Sequence, residues 1–341
     1  MKNSLKRVCL ILSLTIIFSL SLSLFSCSGK DKLNRTVVGR VGNYDVYYEE
    51  LRWMTLQYKD LMAAQYGEDI WENSETAEKY RDELEDAVFS NIIANYAVLT
   101  LCDDDILKMN GEKLIDINGE QVTSIVEEYV DATIEEAGGK SEYEKSLKKN
   151  YLTDSLYRFM TGVDVCESIL FNYYCSLTII DDSDEAAIDY IYDNFIRTVH
   201  VYIQNDEGED VAANKALAEA VKLKLEAGED VGKLIENYSD DRYMTGTDGC
   251  YFTKGQYSEA YENAAFALAI GQTSPVVETY SGFYVIQRQE LDGAYIGLHF
   301  TTELKDQYLL AVFNKEIDKC KETLSFTPND FGDSLDLVEL D

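Results

Sequence analysis

The sequence is poor in histidine and in basic residues. It contains 2 His, and none of its 7 Cys lies within a few residues of another, as paired zinc ligands do. Lys and Arg number 30 against 63 Asp and Glu, which gives a formal net charge of −33. A chain this acidic repels nucleic-acid phosphates and anionic lipid headgroups. We therefore expect no metal or other cofactor, no nucleic-acid binding and no polybasic membrane docking.

The composition that remains is that of a folded protein. The 341 residues are 46% hydrophobic and include 25 Tyr, which is too apolar and too aromatic for an intrinsically disordered tail. At ~100–200 residues per domain, the chain has room for about two domains with their own cores.

The N-terminus has the pattern of an export signal. Basic residues precede an apolar run from Val8 to Phe25, which ends in Leu24-Phe25-Ser26-Cys27. This ending resembles the lipobox of bacterial lipoproteins, and the resemblance implies that Cys27 is lipidated after cleavage. We predict a signal peptide at 1–26 and a polar tether at 27–36. An uncleaved transmembrane anchor is the alternative, because the run is just long enough to span a bilayer. Both alternatives place the body of the protein outside the cytoplasm.

Five cysteines follow Cys27 at wide intervals. We expect them to be buried thiols. One disulfide bond among them is the alternative, and the sequence alone cannot assign its partners. They are Cys102, Cys166, Cys175, Cys250 and Cys320.

The first half of the chain is predicted to be helical. Alternation around Gly42-Asn43 predicts a hairpin over 37–48, and apolar residues at helical spacing then predict six helices. Their expected starts include a capping box at Ser141 and Glu144 and an N-cap at Thr153. This half shows no nucleophile beside a base, no phosphate-binding glycine loop and no clustered ligands, so we interpret it as a helical packing domain.

The pattern changes near Ile196. A β-type run over 197–204 is followed by predicted helices over 211–227, 230–237 and 258–267 and by a closing strand over 283–289. A strand, helices and a second strand within about a hundred residues indicate a compact α+β domain.

Seven short motifs in this region resemble those of the parvulin family of peptidyl-prolyl isomerases, in the family's order and spacing. They are Arg197-Thr-Val-His200, Leu225-Glu-Ala-Gly228, Tyr238-Ser239-Asp240, Gly246-Thr-Asp248-Gly-Cys-Tyr-Phe252, Gly255-Gln256-Tyr257, Ala264-Ala-Phe266-x-Leu268 with Gly271, and Tyr280-Ser281-Gly282-Phe-Tyr-Val-Ile286. Each motif alone is weak evidence for the family, and the seven together in register are strong evidence.

The order of these segments along the whole chain resembles that of foldase lipoproteins of the PrsA and SurA type. Val38-Gly-Arg-Val41-Gly42 through Glu50-Leu51 loosely matches the start of their chaperone domain. The resemblance implies an α+β protein with a helical chaperone-like domain at 37–194 and an inserted parvulin-like domain at 195–293. Residues 294–341 would return a C-terminal helix to the chaperone domain and end in an acidic tail. A homodimer is a further alternative, because relatives of this type can dimerise.

The resemblance also implies the site. A catalytic hydrogen-bond network would use His200, Asp241, Ser281 and Tyr284, and an apolar cup for the proline ring would use Gly249, Phe252, Tyr257 and Tyr261. Four of these positions depart from the family pattern, in which Leu, Met, Phe and His replace Gly249, Tyr257, Tyr261 and Tyr284, respectively. The spacing of Tyr257 and Tyr261 also places them on one face of a predicted helix.

These features favour an extracytoplasmic, membrane-anchored foldase that isomerises Xaa-Pro bonds in unfolded or newly exported polypeptides. The alternative is a silent parvulin scaffold that acts as a holdase, which the four departures and the high Tyr content support. A solute-binding lipoprotein is disfavoured, because the first half lacks the repeated βαβ pattern of such clefts.

Overall fold

The fold was analysed in a computed structural model, which describes residues 30–67, 69–72, 74–109, 112–205, 210–244, 248–279 and 281–341. The predicted signal peptide, Cys27 and the motif residues Gly246, Thr247 and Tyr280 lie outside these ranges. The described chain divides into two compact units. One contains the residues up to Ile179 together with Lys315–Asp341, and the other is Ile180–Asn314.

The first unit is mainly helical, as the apolar spacing predicts. Its helices are α1 (Lys30–Asn34), α2 (Tyr48–Tyr66), α3 (Ser74–Cys102), α4 (Glu120–Glu136), α5 (Lys140–Lys149) and α6 (Asp154–Ser176). Its strands are β1 (Val37–Val41) and β2 (Tyr44–Tyr47), which form the predicted hairpin, and the two-residue strands β3 (Lys108–Met109) and β4 (Glu112–Lys113).

Helix α6 lies at the centre of this unit. Its side chains are buried on most of its circumference, and it packs against α3 and α4. The Thr153 hydroxyl accepts a hydrogen bond from the Leu156 N–H at 3.0 Å, which confirms the predicted N-cap. The predicted capping box at Ser141 is wrong. Helix α5 begins at Lys140, so Gly139 occupies the N-cap position and no side chain caps the helix.

The last residues of the chain pack against the same unit. Strand β9 (Phe326–Pro328) pairs antiparallel with β1, so the small sheet has the order β2-β1-β9. Beyond it, Arg81 forms an ion pair with Asp336 at 2.6 Å, and the Lys59 ammonium donates to the carbonyls of Val338 and Leu340. Three apolar residues of the predicted acidic tail are buried here: Leu337, Val338 and Leu340.

The second unit is a four-stranded antiparallel sheet covered by helices on both faces. The strands are β5 (Ile196–Gln204), β6 (Cys250–Phe252), β7 (Val277–Thr279) and β8 (Gly282–Gln289), in the order β6-β5-β8-β7. The helices are α7 (Asp184–Asn194), α8 (Val211–Glu226), α9 (Val231–Tyr238), α10 (Glu259–Ala267) and α11 (Gly293–His299). A π-helical turn at Phe300–Leu304 leads into α12 (Lys305–Lys321), within which the boundary between the units falls.

Alternation along the two central strands separates two cores. Val199, Val201 and Ile203 of β5 face α8 and α9, together with Phe283 and Val285 of β8. The opposite face of β8 contributes Ile286, which packs against Phe252, Tyr261 and other residues around α10. Because side chains alternate along a strand, Thr198, His200 and Tyr202 share this second face. The α+β class predicted from the sequence is confirmed.

All five described cysteines are free thiols, so none of them forms the bridge that the sequence left open. Across the described ranges, no helix combines the length and hydropathy that a bilayer crossing requires.

Candidate functional site

The candidate site is built on the central strand β5 of the second unit. His200 is 2% exposed, and its imidazole lies between two hydrogen-bonding groups. Its Nε2 lies 2.9 Å from Oδ2 of Asp241, and its Nδ1 lies 2.9 Å from the hydroxyl of Tyr261. The Tyr261 hydroxyl lies 2.9 Å from the Thr198 hydroxyl. A continuous chain of hydrogen bonds therefore runs from Thr198 through Tyr261 and His200 to Asp241.

Asp241 is held in place by the segment that precedes it. The Ser239 hydroxyl accepts from the backbone N–H of Tyr202, and the Asp240 carboxylate accepts from the N–H of Gln204. These bonds fasten the segment to β5, so the motif Tyr238-Ser239-Asp240 positions the carboxylate that follows it. The hydrogen bond from His200 lowers the pKa of Asp241 below its ordinary value, so Asp241 is a carboxylate at neutral pH.

Aromatic rings surround the imidazole. Tyr261 and Tyr284 both contact His200 edge to face, with ring centroids 5.5 and 5.2 Å away. Tyr284 lies opposite Tyr202 in the β5–β8 register, and the two rings stack at 4.4 Å. Tyr257 stacks on Tyr261 at 5.0 Å and tilts against Phe252 at 4.6 Å. His200, Phe252, Tyr257, Tyr261 and Tyr284 therefore form one cluster.

The two additional hydroxyls of this cluster differ in their surroundings. Tyr261, 1% exposed, bonds Thr198 and His200, while Tyr257 is 41% exposed. Burial raises the pKa of both tyrosines and of the Cys250 thiol, so all three groups stay protonated at neutral pH. The departure from Phe at Tyr261 therefore adds no unpaired polar group to the buried wall.

Two of the predicted site residues, Gly249 and Ser281, contact the site through their backbone. Gly249 has a φ of +75°, and a Cβ built there would come 2.4 Å from the Thr198 carbonyl oxygen. It packs against the backbone of β5 and offers no apolar wall. Ser281 contributes its carbonyl, which accepts from the Tyr202 hydroxyl at 2.6 Å, while its own hydroxyl lies 3.3 Å from that of Thr279.

Tyr257 is also not on a helix, contrary to the prediction from its spacing. Helix α10 begins at Glu259 after Ser258, and Tyr257 belongs to the preceding loop. It is 41% exposed, so it forms the solvent side of the cluster.

Sequence reasoning missed three contributors to the site: Thr198, Tyr202 and Glu262. The first two lie two residues before and after His200, so the period of a strand is a signal that could have identified them. Glu262 accepts hydrogen bonds from the backbone of the loop before α10, for which the sequence gives no periodic signal.

No group of three or more His, Cys, Asp or Glu side chains in the described part of the chain is arranged to hold a metal ion. The chemistry available at the site is hydrogen bonding beside an apolar aromatic wall.

Comparison with known proteins identifies relatives of this region. Residues 191–291 match the family model described as a PPIC-type PPIASE domain. The foldase protein PrsA of Geobacillus sp. (strain WCH70) is 30% identical over 129 residues, which cover 36% of this chain and 43% of the relative. The alignment thus spans less than half of that relative's length.

Two further relatives extend the comparison. The peptidyl-prolyl cis-trans isomerase pin1 of Rhizopus delemar is 32% identical over 107 residues, which cover 27% of this chain and 71% of the relative. The foldase protein PrsA of Caldanaerobacter subterraneus is 22% identical over 293 residues, covering 83% of this chain and 82% of the relative.

Proposed function

The chain belongs to the PPIC-type, or parvulin, family of peptidyl-prolyl cis-trans isomerases, and from this premise we propose that it is a foldase that rotates Xaa-Pro bonds. Its clients would be unfolded or newly exported polypeptides at the outer face of a bacterial cell membrane. The observation that carries the proposal is the hydrogen-bonded pair His200–Asp241 beside the aromatic wall of Phe252, Tyr257 and Tyr261.

The reaction requires neither a nucleophile nor a metal. Resonance imposes a barrier of ~18–20 kcal/mol on rotation about a peptide bond, while the two isomers of an Xaa-Pro bond differ by only ~0.5–1 kcal/mol. A catalyst must bind the twisted amide more tightly than either planar form. The twisted amide has lost its charge-separated resonance form, so exclusion of water from the amide favours it, while a wall that touches the proline ring binds every isomer.

The residues divide this task between them. Phe252, Tyr257 and Tyr261 would surround the proline ring. His200 and Asp241, held by Ser239 and Asp240, would form a fixed polar face against the turning amide, with no reorganisation during rotation. Ser281 and Tyr284 support this face through Tyr202.

The remaining assignments extend the proposal to the whole chain. We assign 195–293 to the isomerase and 37–194 with 294–341 to a part that holds the client; of this second part, 180–194 and 294–314 fold within the same unit as the isomerase. Cys27 would be lipidated, which the apolar run and the Leu-Phe-Ser-Cys ending support. Palmitate labelling of cells that produce the full chain tests this anchor. We expect label in the parent and none in Cys27→Ser, and an unlabelled parent would favour an uncleaved anchor.

Refolding of a client whose slow step is prolyl isomerisation tests the foldase. We expect the slow phase to accelerate in proportion to the concentration of the full chain, and His200→Ala to abolish the acceleration while its circular dichroism spectrum stays unchanged. Suppression of client aggregation without any acceleration would support the holdase alternative instead.

A further inference from the structure

The loop before α10 is held by a single carboxylate. Three successive backbone N–H groups, those of Gly255, Gln256 and Tyr257, donate to Oε1 of Glu262 at 2.9, 2.7 and 2.8 Å. The Gly255 N–H also lies 3.0 Å from Oε2. Hydrogen bonds to an ionised acceptor are about twice as strong as neutral ones. Glu262 therefore makes an unusually strong local anchor.

The loop has few other means to keep its shape. Ser258 precedes the helix without a side-chain cap bond, and the turn passes through Gly255 at a φ of +90°. Within the loop, the Gln256 side chain accepts the Thr253 N–H at 2.9 Å. Side chains therefore fix the conformation of residues 253–257.

The residue at the end of this loop is the outer wall of the site. Tyr257 stacks on Tyr261 and tilts against Phe252, yet is 41% exposed. A side chain so exposed keeps its position only if the backbone beneath it is fixed. The N–H of Tyr257 itself is one of the three that Glu262 holds.

We propose that Glu262 is a positioning residue that holds the loop of residues 253–257, so that Tyr257 closes the solvent side of the proline cup. This inference rests on the proposed function where it concerns proline, and its effect is on affinity. A wall that touches the proline ring contacts the cis, twisted and trans forms alike, and such uniform binding changes KM and leaves kcat unchanged.

The chain offers a matched control for this residue. Glu259 lies on the same helix and is exposed. Its carboxylate accepts a long hydrogen bond from the Asn263 side chain at 3.4 Å. Glu262→Ala and Glu259→Ala remove the same charge from the same helix. Glu262→Gln keeps one oxygen that can accept the three N–H groups.

Peptide affinity gives the first readout. The full chain and the three variants are titrated with an Ala-Ala-Pro-Phe peptide followed by NMR. We expect Glu262→Ala to raise Kd about tenfold, Glu262→Gln to raise it by about threefold or less, and Glu259→Ala to leave it unchanged. In an isomerisation assay KM should rise in the same order, with kcat within about twofold. Equal Kd values for Glu262→Ala and Glu259→Ala, or a parent without peptide affinity, would overturn the proposal.

Amide hydrogen exchange gives a readout that does not depend on isomerase activity. Exchange at Gly255, Gln256 and Tyr257 should accelerate about tenfold or more in Glu262→Ala and stay at the parent rate in Glu259→Ala. Unchanged exchange would overturn the proposal even in an active enzyme. A parent that binds the peptide without isomerising it, with accelerated exchange in Glu262→Ala, would support the positioning role and contradict the proposed catalysis. If Glu262→Ala does not fold, Glu262→Leu, which fills a similar space without an acceptor oxygen, replaces it in the same two readouts, and parent values for both would overturn the proposal.

Discussion

The hydrogen bonds around His200 have one consistent set of directions when the ring is neutral. Asp241 is a carboxylate and can only accept, so Nε2 carries the ring proton. Nδ1 then has a lone pair, the Tyr261 hydroxyl donates to it, and the Thr198 hydroxyl donates to Tyr261. The imidazole is thereby fixed in orientation from both sides, as a polar face for a turning amide requires.

Removing one hydroxyl tests this order. In Tyr261→Phe, Nδ1 loses its donor, so its ¹⁵N resonance should move toward that of a non-bonded pyridine-type nitrogen, while Nε2 stays protonated by its bond to Asp241. Long-range ¹H–¹⁵N spectra of the full chain can show this, because His200 and His299 are the only two histidines in the sequence.

Tyr257→Phe is the control for this variant. It removes a hydroxyl from the stacked neighbour of Tyr261, which lies outside the chain of hydrogen bonds from Thr198 to Asp241. Its Nδ1 resonance should match the parent. A parent spectrum with the ring proton on Nδ1 would contradict the directions given above.

At the scale of single elements, the long helices could be predicted from the spacing of apolar residues and from the residues that cap helix ends. Thr153 is an example of a correctly predicted cap. Its hydroxyl accepts a hydrogen bond from an N–H at the start of α6 and also donates to Glu49 Oε2 at 2.6 Å. Ser141 matches the same sequence signature, yet the chain turns at Gly139 and the helix has already begun at Lys140. A capping pattern shows which residue can cap a helix, and the backbone turn decides which one does.

Substitutions at these two positions should differ accordingly. Thr153→Ala should lower the free energy of unfolding by about 1 kcal/mol, since it removes an N-cap. Ser141→Ala should change it by less than about 0.5 kcal/mol, because Ser141 lies inside its helix. Urea unfolding measures both, and equal losses would contradict the assigned start of α5.

Short elements and the outer part of the site could not be predicted in this way. Strands β6, β7 and β9 have three residues each, which is too few to show a period. Tyr257 and Tyr261 are four residues apart and do stack, but across a loop-to-helix junction instead of along a helix face. His200 and Asp241 were predicted because their motifs resemble a family, whereas Glu262 acts on backbone N–H groups that carry no sequence signature.

At the scale of the whole molecule, pH acts on the stability of the helical unit through a buried carboxyl group. Glu50, on α2 of the helical unit, is 3% exposed, and burial raises its pKa from 4.5 to about 7. The folded state then binds a proton that the unfolded state releases, so Glu50 makes stability fall as pH rises from about 4.5 to about 7.

Glu50→Gln should remove this contribution. Between pH 4.5 and pH 8, the free energy of unfolding of the variant should fall by about 3 kcal/mol less than that of the parent. Tryptophan fluorescence isolates the helical unit, because both Trp53 and Trp71 lie in it. Glu128→Gln, which changes an exposed carboxyl on α4, should keep the pH dependence of the parent, and an identical curve for Glu50→Gln would contradict the assignment.

The most direct test of the central claim is two-dimensional exchange NMR of an Ala-Ala-Pro-Phe peptide mixed with a catalytic amount of the full chain. Unaided isomerisation takes tens of seconds or more, so the peptide alone gives no cross-peaks between its cis and trans signals at mixing times of about one second. We predict cross-peaks in the presence of the parent chain and none with His200→Ala. If the amide spectrum of the parent chain shows that the peptide is bound and no cross-peaks appear, the proposed isomerase activity is contradicted.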